Sequence, residues 1–325
     1  MEYVEKVQSI LTAFAVGDAV GMPTEFMTRG EIRARFSALV PGLLEPAQSK
    51  NHPNLPYASV TDDTEQVLAL YRLYRANGRV DARETAQRLL LWAEETHAEE
   101  KRYIGPSSLK ALNAIRAGES VENAGRGGTT CGGIMRSPAA VLWREHETDE
   151  SLADDVYLCL QCTHNTSEAL EAAGAYAFGL RAAMSGGTRR EILNEAMRGG
   201  ELLAKRSAPF GCAPSSATRI KRMYNLAATH APDHLLDELY GVYGTGLPSA
   251  DVCGAAFAIF FSARDDVWKA VRMGASVGGD TDTIAALAAA LSCACACGHN
   301  IPHSIVHTLF SANELLRGAP WEENA

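Results

Sequence analysis

The sequence predicts an all-α fold, and three observations carry that prediction. Apolar residues recur at the three- and four-residue spacing of an amphipathic helix, runs alternating with period two are scarce, and alanine is abundant while β-branched residues do not cluster. The first element, "VEKVQSILTAFAVGDAVG" (4–21), puts Val4, Val7, Ile10, Leu11 and Phe14 on one face. "TEQVLALYRLYRANG" (64–78) and "DARETAQRLLLWAEE" (81–95) repeat the pattern, and Gly78 is the residue expected just past a helix C-terminus. "SEALEAAGAYAFGLRAAM" (167–184) follows, with Gly186 in the same role. The alanine-rich run from Ile284 to Cys297 predicts a buried helix, too short to span a bilayer. Stretches rich in Gly, Pro and Ser at 41–60, 103–108, 125–138 and 207–215 predict loops, and loops within a helical body are where function concentrates.

At 325 residues and 46% hydrophobic content the chain can form one large domain or two ordinary ones, with a substantial core. No internal repeat, low-complexity tract or charged linker divides it. The start, "MEYVEKVQSI", has no basic-then-apolar pattern, so a soluble cytoplasmic protein without a membrane partner is expected. Thirty basic against thirty-nine acidic residues give a formal charge of -9, which opposes a phosphate backbone and argues against nucleic acid. Cys159 and Cys162 form a lone C-x-x-C without a second pair at zinc spacing, and Cys293, Cys295 and Cys297 would point around a helix; free thiols in a reducing compartment are expected. His299, His303 and His307 recur every four residues, but Pro302 starts a helix between the first and the other two, which leaves packing or surface histidines.

Two acidic clusters stand out. "SVGGDTDTIA" (276–285) places Asp280 and Asp282 around one threonine where a helix begins, and "SVTDDTEQVLAL" (59–70) places Asp62 and Asp63 at another helix start some two hundred residues earlier. Capping explains one acid at each: Asp280 or Thr281 at the second cluster, and an Asp62–Glu65 capping box at the first. It does not explain the doubling. Adjacent carboxylates with flanking threonine hydroxyls are hard oxygen ligands suited to Mg²⁺ or Mn²⁺, and a helix N-terminus repels a cation, so several acids are needed to outweigh it. From spacing alone, one shared metal site and two independent capped helices both remain open.

These residues resemble the ADP-ribosylglycohydrolases of the dinitrogenase-reductase-activating type over nearly the whole chain. The matching segments run in order: "VGDAVGMPTEF" (16–26), "TDDT" (61–64), "IGPSSLKAL" (104–112), "CGGIMRSPA" (131–139), "CTHNTSEAL" (162–170) and "VGGDTDTIAALAAAL" (277–291). The resemblance implies a compact single-domain orthogonal helical bundle over 1–325, two divalent cations, Mg²⁺ or Mn²⁺, and hydrolysis at the anomeric carbon of an ADP-ribosylated protein or small molecule. It implies Thr61, Asp62, Asp63, Asp280, Asp282 and Thr283 as metal ligands. Glu25 would be the base or a metal-linked gate, acting with Asp62 and Asp282 in catalysis, and His164 would face the substrate. The glycine-rich stretch 124–136 supplies unobstructed N–H groups that suit a pyrophosphate at Gly132, Gly133, Ile134 and Met135, although a plain flexible loop reads the same way; it lacks the lysine of a P-loop.

The chain departs from the family pattern in two places. Cys131 stands where an asparagine is common. Tyr103 stands where members acting on arginine linkages tend to carry an aspartate, so an O-linked or small-molecule substrate is expected unless Glu99 or Glu100 folds back to supply the acid. A hydrolase of a small nucleoside or ADP-ribosylated metabolite, and a module that binds ADP-ribose without turnover, are the alternatives. With Glu25 and four aspartates present, the binding module ranks last.

Overall fold

The computed structural model describes residues 2–100, 103–207 and 211–318. Its helices are α1 (Tyr3–Gly21), α2 (Arg29–Phe36), α3 (Asp62–Asn77), α4 (Ala82–Glu95), α5 (Pro106–Arg116), α6 (Val121–Ala124), α7 (Gly132–Leu142) and α8 (Asp149–Gln161). They continue with α9 (Ser167–Met184), α10 (Arg189–Ala204), α11 (Ser216–Thr229), α12 (Pro232–Glu238), α13 (Ser249–Ala263), α14 (Val267–Ser276), α15 (Thr281–Ala296) and α16 (His303–Ala312). Among the described residues there is no strand, only an isolated bridge between Thr130 and Pro248, so the fold is all-α as expected. No described helix is long and apolar enough to cross a membrane.

Local chemistry sets the boundaries. Side chains of Thr61, Asp81, Thr148, Thr166 and Thr188 accept hydrogen bonds from first-turn N–H groups of α3, α4, α8, α9 and α10, satisfying donors the helix leaves free. Gly78 closes α3 in the left-handed region at φ 65°. At the first acidic cluster the cap is Thr61, with no Asp62–Glu65 box; Glu65 instead accepts from the Trp92 indole at 2.8 Å, a tertiary bond that outcompetes the local one. At the second, Asp280 occupies the cap position of α15 but its carboxylate makes no capping bond.

Helix α15 lies at the centre, buried from Thr281 to Ala294. Its alanines let neighbours approach to backbone contact. A Cβ on Gly17 would lie 2.5 Å from the Ala285 carbonyl oxygen, one on Gly21 2.4 Å from that of Thr281, and one on Gly274 2.4 Å from the Ala285 Cα. Three glycines on α1 and α14 therefore set how closely these helices clasp α15, and the end of that clasp is where the second acidic cluster sits. One hydrophobic cluster extends from Val7 to Leu316.

The predicted loop at 125–138 is corrected: α7 begins at Gly132 and runs through Pro138 to Leu142. Proline removes one helical hydrogen bond, and the Ile134 carbonyl it would have served accepts the Ser137 hydroxyl at 2.7 Å instead. The stretch at 103–108 is likewise shorter than expected, because Pro106 opens α5 at the position where a missing N–H costs nothing. Residues 41–60 are irregular apart from a short 3₁₀ turn at Pro46–Gln48, and so are the described residues of 207–215, of which 208–210 lie outside the described set. All eight cysteines are free thiols, and His303 and His307 stack on the exposed face of α16.

Candidate metal centre and catalytic cleft

The two acidic clusters meet. Helix α3 brings Asp62 and Asp63, and α15 brings Asp280 and Asp282, into one cleft of about 250 Å³ also lined by Glu25, Asn51, His52, Tyr103, Thr130, Cys131, Gly132, Met135 and Thr283. Consecutive glycines in positive φ, Gly278 at 85° and Gly279 at 83°, turn the chain out of α14 so that the Asp280 N–H reaches the Thr245 carbonyl at 2.8 Å. A Cβ at Gly279 would lie 2.2 Å from that same carbonyl oxygen.

Two groups of three buried carboxylates emerge, Asp18 with Asp63 and Asp282, and Glu25 with Asp280 and Asp282; within each, ligand atoms lie within 4.8 Å of one another. Asp282 belongs to both. Within this cluster, buried Asp280 Oδ2 has no hydrogen-bond partner among the described residues. A buried carboxylate oxygen without a donor is costly in a protein and is what a cation would satisfy. The rest are oriented: Thr283 Oγ1 donates to Asp63 at 3.0 Å, Gln66 Nε2 to Asp62 at 3.0 Å, and Asn51 Nδ2 to Glu25 at 2.9 Å, with His52 Nε2 3.4 Å from the same oxygen.

Burial pushes the Asp18 carboxyl up to about 6, against hydrogen bonds from Thr64 and Thr61 that pull it down. Burial, followed by the charges of neighbouring acids, drives Asp62, Asp63 and Asp282 well above the usual carboxylate range. Asp280 is raised mainly by burial. Without a cation this cluster cannot be fully ionised. Oxygen-only donors, two overlapping triads and an orphan oxygen fit hard divalent cations rather than zinc.

The other expected residues fall in different places. Gly132 and Met135 line the cleft, whereas Gly133 and Ile134 lie behind it. Thr61 is buried outside the cleft lining; its hydroxyl caps α3 and its N–H donates to Asp18 at 2.9 Å. His164 is fully buried and does not line the cleft: its ring packs under Gly132, where a Cβ would lie 2.9 Å from it. Gly125 and Gly128 serve the packing against the α8–α9 turn, since a Cβ on either would meet the Gln161 or Thr163 carbonyl oxygen at about 2 Å. Tyr103 is in the wall, donating to the Val60 carbonyl at 3.0 Å and stacking on Trp92. Neither Glu99 nor Glu100 folds back: Glu99 is exposed and paired with Arg116, and Glu100 is exposed beside His97. Burial pushes the Cys131 thiol well up, so it faces Asp280 as a neutral group.

Sequence reasoning missed Asp18, Asn51 and His52. Asp18 had a signal, because it falls seven residues after Leu11 and four after Phe14, on the apolar stripe of α1. Asn51 and His52 lie in irregular chain and carried none.

An all-helical protein built around a buried, hard-oxygen centre is the class that fold and site define. The chain belongs to the ADP-ribosylglycohydrolase family, whose model matches residues 1–321. It is 31% identical over 316 residues to the uncharacterized Escherichia coli protein YegU, covering 96% of this chain and 93% of that one. It is 29% identical over 153 residues to the ADP-ribosyl-[dinitrogen reductase] glycohydrolase of Rhodospirillum rubrum, covering 46% and 48%. A solved structure titled ADP-ribosylglycohydrolase-related protein complex shares the fold at TM-score 0.70 and 24% identity, over 97% of this chain and 95% of that one.

Proposed function

We propose that this chain is a single-domain, metal-dependent hydrolase that cleaves the bond between the anomeric carbon of ADP-ribose and an acceptor, releasing ADP-ribose. The observation that carries the reading is the pair of carboxylate triads sharing Asp282, with the Asp280 oxygen left without a donor. Asp18, Asp63 and Asp282 would hold one divalent cation, and Asp280 and Asp282 the other, Mg²⁺ or Mn²⁺, with Glu25 beside the second. Asp62 and Thr283 complete the set from the cleft wall, and Thr61 supports it by fixing Asp18 and Asp63. When bound, two such ions supply Lewis acidity that orients a ribose diol and a water and makes that water more acidic. Glu25, steered by Asn51 and His52, accepts the water's proton. Eight unpaired thiols support a reducing compartment such as the cytoplasm.

For linkage, we propose that an O-linked or small-molecule conjugate is preferred over an arginine-linked one. A guanidinium leaving group is served by a nearby carboxylate that pairs with its charge and moves a proton. Tyr103 is neutral, its hydroxyl is committed to the Val60 carbonyl, and Glu99 is committed to Arg116. Turnover of arginine-, serine- and O-acetyl-linked ADP-ribose and of free nucleosides, each with Mg²⁺ or Mn²⁺ and after chelation, tests both statements. Metal-dependent release of ADP-ribose supports the activity, and no release from any ADP-ribosyl substrate overturns it. A higher kcat/KM for the arginine linkage overturns only the preference.

A further inference from the structure

Among the described residues the largest fully buried side chain is a cation, Arg136, whose guanidinium partners there include no carboxylate. Its guanidinium lies behind the cleft wall. One terminal nitrogen donates to Gln66 Oε1 at 2.7 Å and Ser108 Oγ at 3.2 Å; the other donates to Thr163 Oγ1 and approaches His164 Nδ1 at 3.1 Å. Arginine carries donors and no acceptor, so the His164 nitrogen turned toward it must present its lone pair. The Thr163 hydroxyl, 2.9 Å from the same nitrogen, accepts from Arg136 and so has its own proton to give to Nδ1, which works in the same direction. The ring is neutral, because burial and then the Arg136 charge hold His164 well below the usual histidine range. Its proton therefore sits on Nε2, which lies 3.1 Å from Thr130 Oγ1.

That assignment decides what Thr130 can do. A hydroxyl has one proton and two lone pairs. Here a lone pair is taken by His164, and among the described residues Thr130 Oγ1 has no other partner, so its proton remains for the cleft that Thr130 lines. The backbone is fixed as well: the Cys131 N–H donates to the Leu247 carbonyl at 2.7 Å and Ser249 Oγ donates to the Thr130 carbonyl at 2.6 Å, pinning the residue against the 247–249 segment.

We propose that Thr130 is a substrate-binding donor held in that role by a buried relay, Arg136 to His164 to Thr130, so that this point of the cleft offers a proton to a ligand acceptor oxygen, a ribose hydroxyl or phosphoryl oxygen. His164 is then a positioning residue that acts on the ligand through Thr130 rather than by touching it. The inference rests on the cleft being the ADP-ribose site.

Two measurements test it. Nitrogen-15 NMR of the histidine-labelled, ligand-free protein reads the tautomer directly: neutral His164 with its proton on Nε2 is expected, and a proton on Nδ1 or an imidazolium at pH 7 overturns the relay. Calorimetric titration with ADP-ribose then compares Thr130→Val, which keeps the shape and loses the hydroxyl, with Thr130→Ser, which keeps the hydroxyl. Valine is expected to weaken binding about tenfold, the worth of one ordinary hydrogen bond, and serine to restore it. Equal affinity for the valine variant and the unaltered protein overturns the donor role while leaving the proposed activity standing. Failure of the unaltered protein to bind or release ADP-ribose overturns the proposed activity, and the ligand named here with it; the tautomer still reports on the relay.

Discussion

Asp282→Asn separates a metal centre from a structural acid cluster, because Asp282 alone belongs to both carboxylate triads. Asparagine keeps the shape and an oxygen for the Thr283 N–H that Asp282 Oδ1 now receives at 3.0 Å, so the local turn survives. Two things change. The shared ligand charge disappears from both cation positions, and the repulsion it imposes disappears with it; ionised carboxylates within 4.8 Å of one another repel by about 3.5 kcal/mol or more per pair at an effective dielectric of about 20. A cation present at a hundred times its dissociation constant stabilises the folded state by about 2.7 kcal/mol. With roughly 2.1 cal/mol/K of unfolding entropy per residue over 325 residues, the slope is about 0.7 kcal/mol/K, so each occupied site raises Tm by about 4 °C. Scanning calorimetry with chelator and with saturating Mn²⁺ or Mg²⁺ should show a metal-induced rise of about 4 to 8 °C in the unaltered protein and almost none in the variant. The chelated variant should be at least as stable as the chelated parent. A variant that keeps the full metal shift refutes the shared-ligand reasoning, and a chelated variant that melts well below its parent shows that the carboxylate is structural.

Glu25→Gln should leave ADP-ribose binding largely intact and lower kcat by about 10²–10⁴-fold, the usual cost of a lost general base; unchanged kcat excludes that role. Gly21→Ala drives a methyl group to 2.4 Å from the Thr281 carbonyl oxygen, so α1 must back away from α15; thermal unfolding should report a loss of about 1–3 kcal/mol together with a weakened metal shift, since Asp18 and Asp282 separate. In the chelated protein the folded-state value of Asp18, about 6, lies above the ordinary 3.8, so the stability it contributes is fully present below about pH 3.8 and is lost as pH rises through about 6. Urea unfolding with chelator at pH 4.5 and pH 7 should show that decline, and saturating metal should remove it; a chelated protein that gains stability over this interval contradicts the assignment, once other titrating groups are controlled by the Asp18→Asn variant.

The all-α class was legible because helical periodicity is a local property, and so were both acidic clusters, whose doubled aspartates exceed what capping uses. Their convergence was not. It depends on how closely α1 and α14 clasp α15, which Gly17, Gly21 and Gly274 set through contacts more than 240 residues apart in the chain for the first two. Asn51 and His52, which hold Glu25, sit in irregular backbone whose path follows from tertiary packing rather than from any repeat. The loop assigned to 125–138 failed for a related reason. Glycines and a proline read as helix breakers when each residue is weighed alone, yet here they are the residues that fit.

The same segment shows how a residue-type rule and a spatial rule can name the same site for different reasons. Unobstructed glycines at 132 and 133 suggested backbone N–H groups opened toward a pyrophosphate, but their missing side chains face the His164 ring: a Cβ would lie 2.9 Å from it at the first position and 3.1 Å at the second. What those glycines admit is the imidazole, and the imidazole is what fixes the Thr130 hydroxyl. A histidine expected to face the ligand is thus one residue removed from the cleft. Its hydrogen bonds to Arg136 and Thr130 carry its influence to the cleft wall, and replacing Gly132 with alanine would disturb that relay before it obstructed any ligand.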